Sequence, residues 1–286
     1  MQNELTQSRP YEGYANRTSR LIRRWRDSLW QALTLPMFAF IGIPIAAIFL
    51  GLTPETIWRS LQTPQAIQAI RLSALTSFIT VSVSVILGTP VAYLLYRKRS
   101  RFQHLLDTLI DLPTVLPPAV AGVALLIAFG RATPIGQRLA ELGIQLPFST
   151  AAVVMAQTFV AAPLYIKSAA LGFASVGCEI RRAAALDGAN RWQIFRYIVL
   201  PMAWQSLVSG CMLTWSRAMG EFGATIIFAG NLPGRTQTMP LAIYIGLEVD
   251  LHTALSLSAI LIIFSFTTLL MLKTVLNRHT DDTLVE

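Results

Sequence analysis

Long apolar stretches, separated by short polar or charged intervals, divide this sequence into six runs. They lie between Asp27 and Glu55, Arg71 and Arg97, Asp111 and Arg131, Glu141 and Lys167, about Tyr197 and Gly230, and Asp250 and Lys273. A bilayer core of ~30 Å takes about 20 predominantly apolar residues per helix. The pattern therefore predicts an all-α membrane protein with six transmembrane helices. The third run is short and opens with Pro113, Pro117 and Pro118, which prevent a regular helix start. The fifth is interrupted by Arg217 and Glu221. Pro36, Pro44 and Pro90 fall inside spans, a position that membrane helices tolerate.

The polar intervals set the orientation. Seventeen Lys and Arg residues fall on one side of the predicted membrane, five on the other, and Arg217 lies within the fifth span. The richer side is cytosolic by the positive-inside rule. Both termini and the 178–201 interval are expected there. Residues 1–28 carry Arg9, Arg17, Arg20, Arg23, Arg24 and Arg26 and read as a basic cytosolic tail lying partly on the membrane surface. They are not a cleavable signal, because the apolar run after them is too long. Residues 29–276 form the transmembrane domain and residues 277–286 a cytosolic C-terminal tail.

Composition agrees. Hydrophobic residues make up 53% and charged residues 13%, with mean hydropathy +0.53; soluble chains carry about 25% charged residues. The chain of 286 residues has room for several spans and none for a large soluble domain. A net charge of +8 suggests nucleic acid in a soluble protein; here it belongs to the cytosolic loops, so membrane lipid is an expected partner and nucleic acid is not. Cys178 and Cys211 are too few and too separated for a disulfide framework or a cysteine metal site. His104, His252 and His279 are scattered and read as interfacial polar residues. ATP binding by a phosphate loop needs Gly-x-x-x-x-Gly-Lys-Ser/Thr. The lysines are Lys98, Lys167 and Lys273, and none is preceded by glycine. The chain is thus read as a non-enzyme with no cofactor of its own, and any ATPase would be a separate subunit.

Four stretches stand out. Glu179 to Leu186 favours helix, Gly188 supplies a residue able to end it with positive φ, and Arg191 to Leu200 starts a second helical segment, with Pro201 following. Two short helices broken at a glycine make an exposed knob. In the second span Ser73, Thr76, Ser77, Thr80 and Ser84 fall within roughly a 100° arc of a helix. Such a stripe either packs helices or, through Ser73, Ser77 and Thr80, lines a watery path. In the fifth span, Thr214 to Thr225, Arg217 and Glu221 stand at i and i+4. A lone central charge costs roughly 2.5–3.5 kcal/mol on insertion scales, so the two are expected to pair, as a packing device or near a gate with Thr225. Asn231 to Tyr244 contains the Pro233-Gly234 turn signal and lies outside, where Arg235, Thr236 and Gln237 offer donors to an anion or a docking protein.

Ala183-Ala184, Gly188 and Ile198-Val199-Leu200-Pro201 resemble the Glu-Ala-Ala loop of binding-protein-dependent ABC importer permeases, in sequence and in spacing. Arg182 stands where that family has Glu. Gly220-Glu-Phe-Gly-Ala-Thr through Tyr244 resembles molybdate permeases, and the Pro-Pro at 117–118 is similar to oxyanion-type permeases. The resemblance implies an ABC importer permease bundle in a bacterial cytoplasmic membrane, working as two copies. It implies a dimer of ATPase subunits that carries ATP and Mg, and an extracytoplasmic oxyanion-binding protein. It assigns Arg182, Ala183, Ala184, Asp187 and Gly188 to ATPase coupling and molybdate or tungstate to the cargo. The rivals are a sulfate or thiosulfate permease and a secondary transporter. Against the latter, the two halves show no repeat and only one buried charge pair is expected.

Overall fold

The computed structural model describes residues 34–97 and 101–282. The expectations for the tail 1–28, for Lys98 and Arg99, and for the last four residues lie outside the described residues. Among the described residues every regular element is helical. The chain divides into a unit ending at Leu52 and a unit beginning at Thr53. Of the first, α1 (Thr34–Leu50) is described, an apolar helix with Pro44 inside it.

The second unit begins with α2 (Pro54–Leu61), a short amphipathic helix opened by a Thr53 capping box with Pro54 in its first turn. Then comes α3 (Pro64–Arg97). Its 34 residues extend about 51 Å, more than the apolar bilayer core. α7 (Thr150–Ser175) and α14 (Leu251–Asp282) are the other helices long and apolar enough to span. These three match the second, fourth and sixth apolar runs.

The third and fifth runs are not single helices. The third run holds only the end of α4 (Arg101–Val115), which begins ten residues before Asp111 in the interval read as a connection, and then α5 (Pro118–Phe129); the two helices are bent by 114°. Pro117 and Pro118 withhold N–H groups there, and Pro118 opens α5 at a position where no helical donor is needed. Pro113, expected to prevent a regular start, sits inside α4. α6 (Pro134–Glu141) follows, capped by the Thr133 hydroxyl.

After α7 the chain forms α8 (Cys178–Leu186) and α9 (Arg191–Ile194), a π-helical turn (Phe195–Val199), α10 (Leu200–Met202) and α11 (Trp204–Met219). Pro201 explains the widened turn. Its ring clashes with the carbonyl four residues back, and the Leu200 N–H instead reaches Phe195 O, five residues back. The run bends by 69° between Met202 and Trp204, and breaks again before α12 (Gly223–Phe228). α13 (Met239–Val249) then packs against α14 as a hairpin.

α3, α7 and α11 pack on one another as the central layer, while α5 and α12 pair and lean on α7. Close approach of α7 and α11 depends on glycine. A Cβ at Gly172 would lie 2.5 Å from the Ser206 Cβ, and one at Gly210 would lie 2.9 Å from the Ser168 Cβ. Buried aromatic side chains, Tyr165 and Phe173, fill the core toward α9 and α10, and Phe228 fills the core shared by α5, α7 and α12.

Candidate functional site

The 178–201 knob is built from local rules. α8 ends in a Schellman arrangement: the Ala189 N–H donates to Ala184 O at 3.0 Å and the Gly188 N–H to Ala185 O at 3.2 Å. Gly188 carries φ +87°, a conformation that costs a side-chain-bearing residue about 1–2 kcal/mol. Asn190 restarts the helix. Its side chain accepts the Gln193 N–H at 2.9 Å, and the Gln193 side chain accepts the Asn190 N–H at 2.8 Å. Arg182, Ala183, Asp187 and Gly188 are exposed, Ala184 is half-buried, and Leu186 is 88% exposed. Between the two helices lies a cavity of about 350 Å³ lined by Asp187, Gly188, Gln193 and Tyr197. The base of the knob is fixed. The Arg181 guanidinium lies 5.3 Å from the Tyr96 ring centroid, and Tyr93, Phe173 and Phe195 pack edge to face at 4.8–6.3 Å.

Arg217 and Glu221 do meet, with Nη1 and Oε2 at 2.8 Å. The guanidinium N–H is not aimed at that oxygen, so the contact is an ion pair without a directed hydrogen bond. Glu221 is 1% exposed whereas Arg217 keeps 35% of its side chain exposed. The other carboxylate oxygen accepts the Ala224 N–H at 2.9 Å. One carboxylate thus joins the last turn of α11 to the first turn of α12 across the break at Gly220 to Phe222. It also places negative charge at a helix N-terminus. Thr225 is buried one turn further on, and its hydroxyl has no hydrogen-bond partner.

The hydroxyl stripe of α3 is inside the protomer. Ser73 accepts the Met239 N–H at 2.7 Å; Ser77 accepts the Trp215 Nε1–H at 2.9 Å and donates to Met219 Sδ; Thr80 donates to Gln157 Oε1 at 3.0 Å. All three are at most 1% exposed. They join α3 to α13, α11 and α7, the helix-packing role, and do not face an open path in this conformation. The stretch at 231–244 also differs from expectation. Thr236 and Gln237 are buried: the Thr236 hydroxyl accepts the Leu232 N–H at 2.9 Å, and Gln237 Oε1 accepts from Gln65 Nε2 at 3.2 Å. The turn at Gly234 folds them inward, with the N–H groups of residues 235–237 all donating to Leu232 O. Of the three, Arg235 is the exposed residue.

A second charged cluster was not anticipated. Lys167 Nζ lies 2.5 Å from Asp107 Oδ1 and 2.8 Å from Asp111 Oδ2, tying α7 to α4. Asp107 and Asp111 stand at i and i+4, which signals one face of a helix. That signal is hidden when α4 is read as a cytosolic connection and Lys167 as the end of a span. Outside the spans, Asp250 caps α14. It accepts the Thr253 hydroxyl at 2.5 Å and the N–H groups of His252 and Thr253. The Thr253 hydroxyl, foremost, holds its carboxyl below the usual range. Among the described residues no cluster of His, Cys, Asp or Glu is suited to a metal ion.

These features can be set beside known proteins. Residues 84–279 match the family described as binding-protein-dependent transport system inner membrane component. The chain is 36% identical over 272 residues to the probable transport system permease protein NifC of Clostridium pasteurianum, covering 94% of this chain and 95% of that protein. It is 40% identical over 224 residues to the molybdenum transport system permease protein ModB of Mycobacterium bovis, covering 78% and 85%. Its fold is similar to that in a crystal structure of a bacterial ABC transporter involved in the import of the acidic polysaccharide alginate. There the TM-score is 0.66 at 16% identity, covering 93% of this chain and all of the other. The chain belongs to the binding-protein-dependent transport system inner membrane components.

Proposed function

We propose that this chain is the membrane subunit of an ATP-driven importer for molybdate or tungstate. Family membership makes it a transport component and not an enzyme, and the likeness to molybdenum permeases supports the cargo. Two copies enclose a path, a dimer of ATPase subunits holds ATP and Mg on the cytosolic side, and an oxyanion-binding protein delivers the anion outside. Both termini are cytosolic in this arrangement.

The observation that carries the reading is the knob at 178–201. A nine-residue helix ends in a glycine turn, with Arg182, Ala183, Asp187 and Gly188 exposed and Ala184 half-buried, on a base fixed by aromatic packing. An exposed helix seated on a rigid base transmits displacement to the spans it joins. Arg217, held by Glu221 at a helix break, is the charged group nearest a gate in this reading, with Thr225 beside it; Arg235 belongs to the face met by the binding protein.

Copurification of the ATPase tests the coupling assignment. Ala184→Trp is expected to insert normally and to lose the ATPase, whereas full recovery would remove that assignment. Labelling of Arg235→Cys in intact cells by an impermeant thiol reagent, with Cys178 and Cys211 replaced by serine so that one cysteine remains, tests the orientation independently; labelling only after lysis would reverse it.

A further inference from the structure

A cavity of about 620 Å³ runs along α3 beside α9 and the π-helical turn. Val85, Ile86 and Pro90 of α3 and Phe195 form its apolar wall, and Arg191 and Trp192 line it from α9. α3 brings two hydroxyls to the wall, those of Thr89 and Tyr93; the Thr89 hydroxyl is engaged at 2.6 Å with Val85 O and 2.7 Å with the Tyr165 hydroxyl. The wall from Val85 to Tyr93 extends about 12 Å along the helix, close to the ~15 Å hydrocarbon depth of one leaflet. Arg191 has no ion-pair partner among the described residues. Trp192 is 67% exposed beside it, the pairing of aromatic ring and cation found at membrane interfaces. In sequence, α3 continues into Arg97, Lys98, Arg99 and Arg101, the most basic interval between spans.

We infer that this groove binds one anionic phospholipid of the cytosolic leaflet. An acyl chain lies along Val85, Ile86 and Pro90, and the net negative headgroup, whose phosphate charge no choline offsets, meets Arg191 beside Trp192. A free oxyanion could meet Arg191 but leaves the apolar wall of Val85, Ile86, Pro90 and Phe195 unfilled. An uncharged amphiphile leaves Arg191 uncompensated. One basic residue at the surface of an anionic leaflet is worth ~1 kcal/mol, about five-fold in affinity. The leaflet assignment rests on the proposed orientation, whereas the site itself does not.

The assembled transporter, delipidated in detergent, is offered equal amounts of phosphatidylglycerol and phosphatidylcholine with identical chains, and bound lipid is counted by native mass spectrometry. Phosphatidylglycerol is expected to be preferred about five-fold. Arg191→Gln should bring the ratio to about one and Arg191→Lys should keep the preference. Ile86→Trp, which fills the groove without changing charge, should lower both lipids. Equal binding of the two lipids by the wild type, or a ratio untouched by Arg191→Gln, overturns the inference. So does displacement of the lipid by millimolar inorganic phosphate, or crosslinking of Ile86→Cys to the same residue of a second copy, which would make the groove an interface between copies. The detergent measurement is independent of orientation, so its failure and a reversed topology are separable.

Discussion

Removal of Arg217 is a sharp test of the broken fifth span. Glu221 is 1% exposed, so Arg217→Met leaves a carboxylate with one backbone N–H and no countercharge. Breaking a fully buried pair on one side costs about 3–5 kcal/mol. Arg217 itself keeps 35% of its side chain exposed, and solvent screening reduces the expected loss to about 2–3 kcal/mol. Glu221→Gln removes the charge yet retains an oxygen for the Ala224 N–H, so the cap across the break survives. The double variant Arg217→Met/Glu221→Gln should therefore lie within about 1 kcal/mol of wild type. With Glu221→Gln measured alone to complete the cycle, the pair should show a coupling of at least about 1 kcal/mol, larger than additive sites allow. The assay is the temperature at which detergent-solubilised protein loses its monodisperse peak. The single variant should fall by about 5–10 °C and the double variant by a few degrees at most. Equal losses in both would refute the pairing. Full stability of Arg217→Met with loss of uptake would move Arg217 from the helix break to the cargo.

Two further outcomes follow from local geometry. Gly172→Leu places a Cβ 2.5 Å from the Ser206 Cβ and 3.3 Å from the Ala203 Cβ; it should cost about 1–3 kcal/mol and lower the yield of folded protein, whereas Gly188→Val, with no atom within 4 Å of its Cβ, should fold with only the backbone strain of about 1–2 kcal/mol. Asp250 has a depressed carboxyl pKa, so its stabilisation is fully present above the ordinary carboxylate value of 3.8 and is lost as pH falls through the lower folded value; the difference in thermal midpoint between wild type and Asp250→Ala should hold from pH 7 to pH 5 and shrink toward pH 3, and a difference independent of pH would show that the carboxylate charge is not what caps α14.

The long spans were legible because α3, α7 and α14 are continuous apolar runs, and length alone separates them from loops. The knob was legible too, since a helix-favouring segment, a glycine and a proline are local signals, and they correspond to α8, the turn at Gly188 and the widened turn before Pro201. What escaped the sequence depends on distant partners. A hydroxyl every third or fourth residue has the same period whether it lines water or packs a helix. Only the arrival of Met239, Trp215 and Gln157 from three other helices decides that Ser73, Ser77 and Thr80 pack. Thr236 and Gln237 look like surface donors until the turn at Gly234 folds them onto Leu232 and Gln65. Lys167 reads as the charged end of a span, because its partners lie on α4, some sixty residues earlier.

In the proposed function, this chain carries an oxyanion across the membrane under the control of a separate ATPase gripping the 178–201 knob. Uptake of labelled molybdate into proteoliposomes tests it most directly. The vesicles hold the permease with its ATPase, and the loaded binding protein is supplied on the opposite side. Accumulation is expected only when ATP, ATPase and binding protein are all present, and it should be abolished by Ala184→Trp while the permease remains inserted. Accumulation driven by an ion gradient without ATP, or undiminished in Ala184→Trp, would contradict the account.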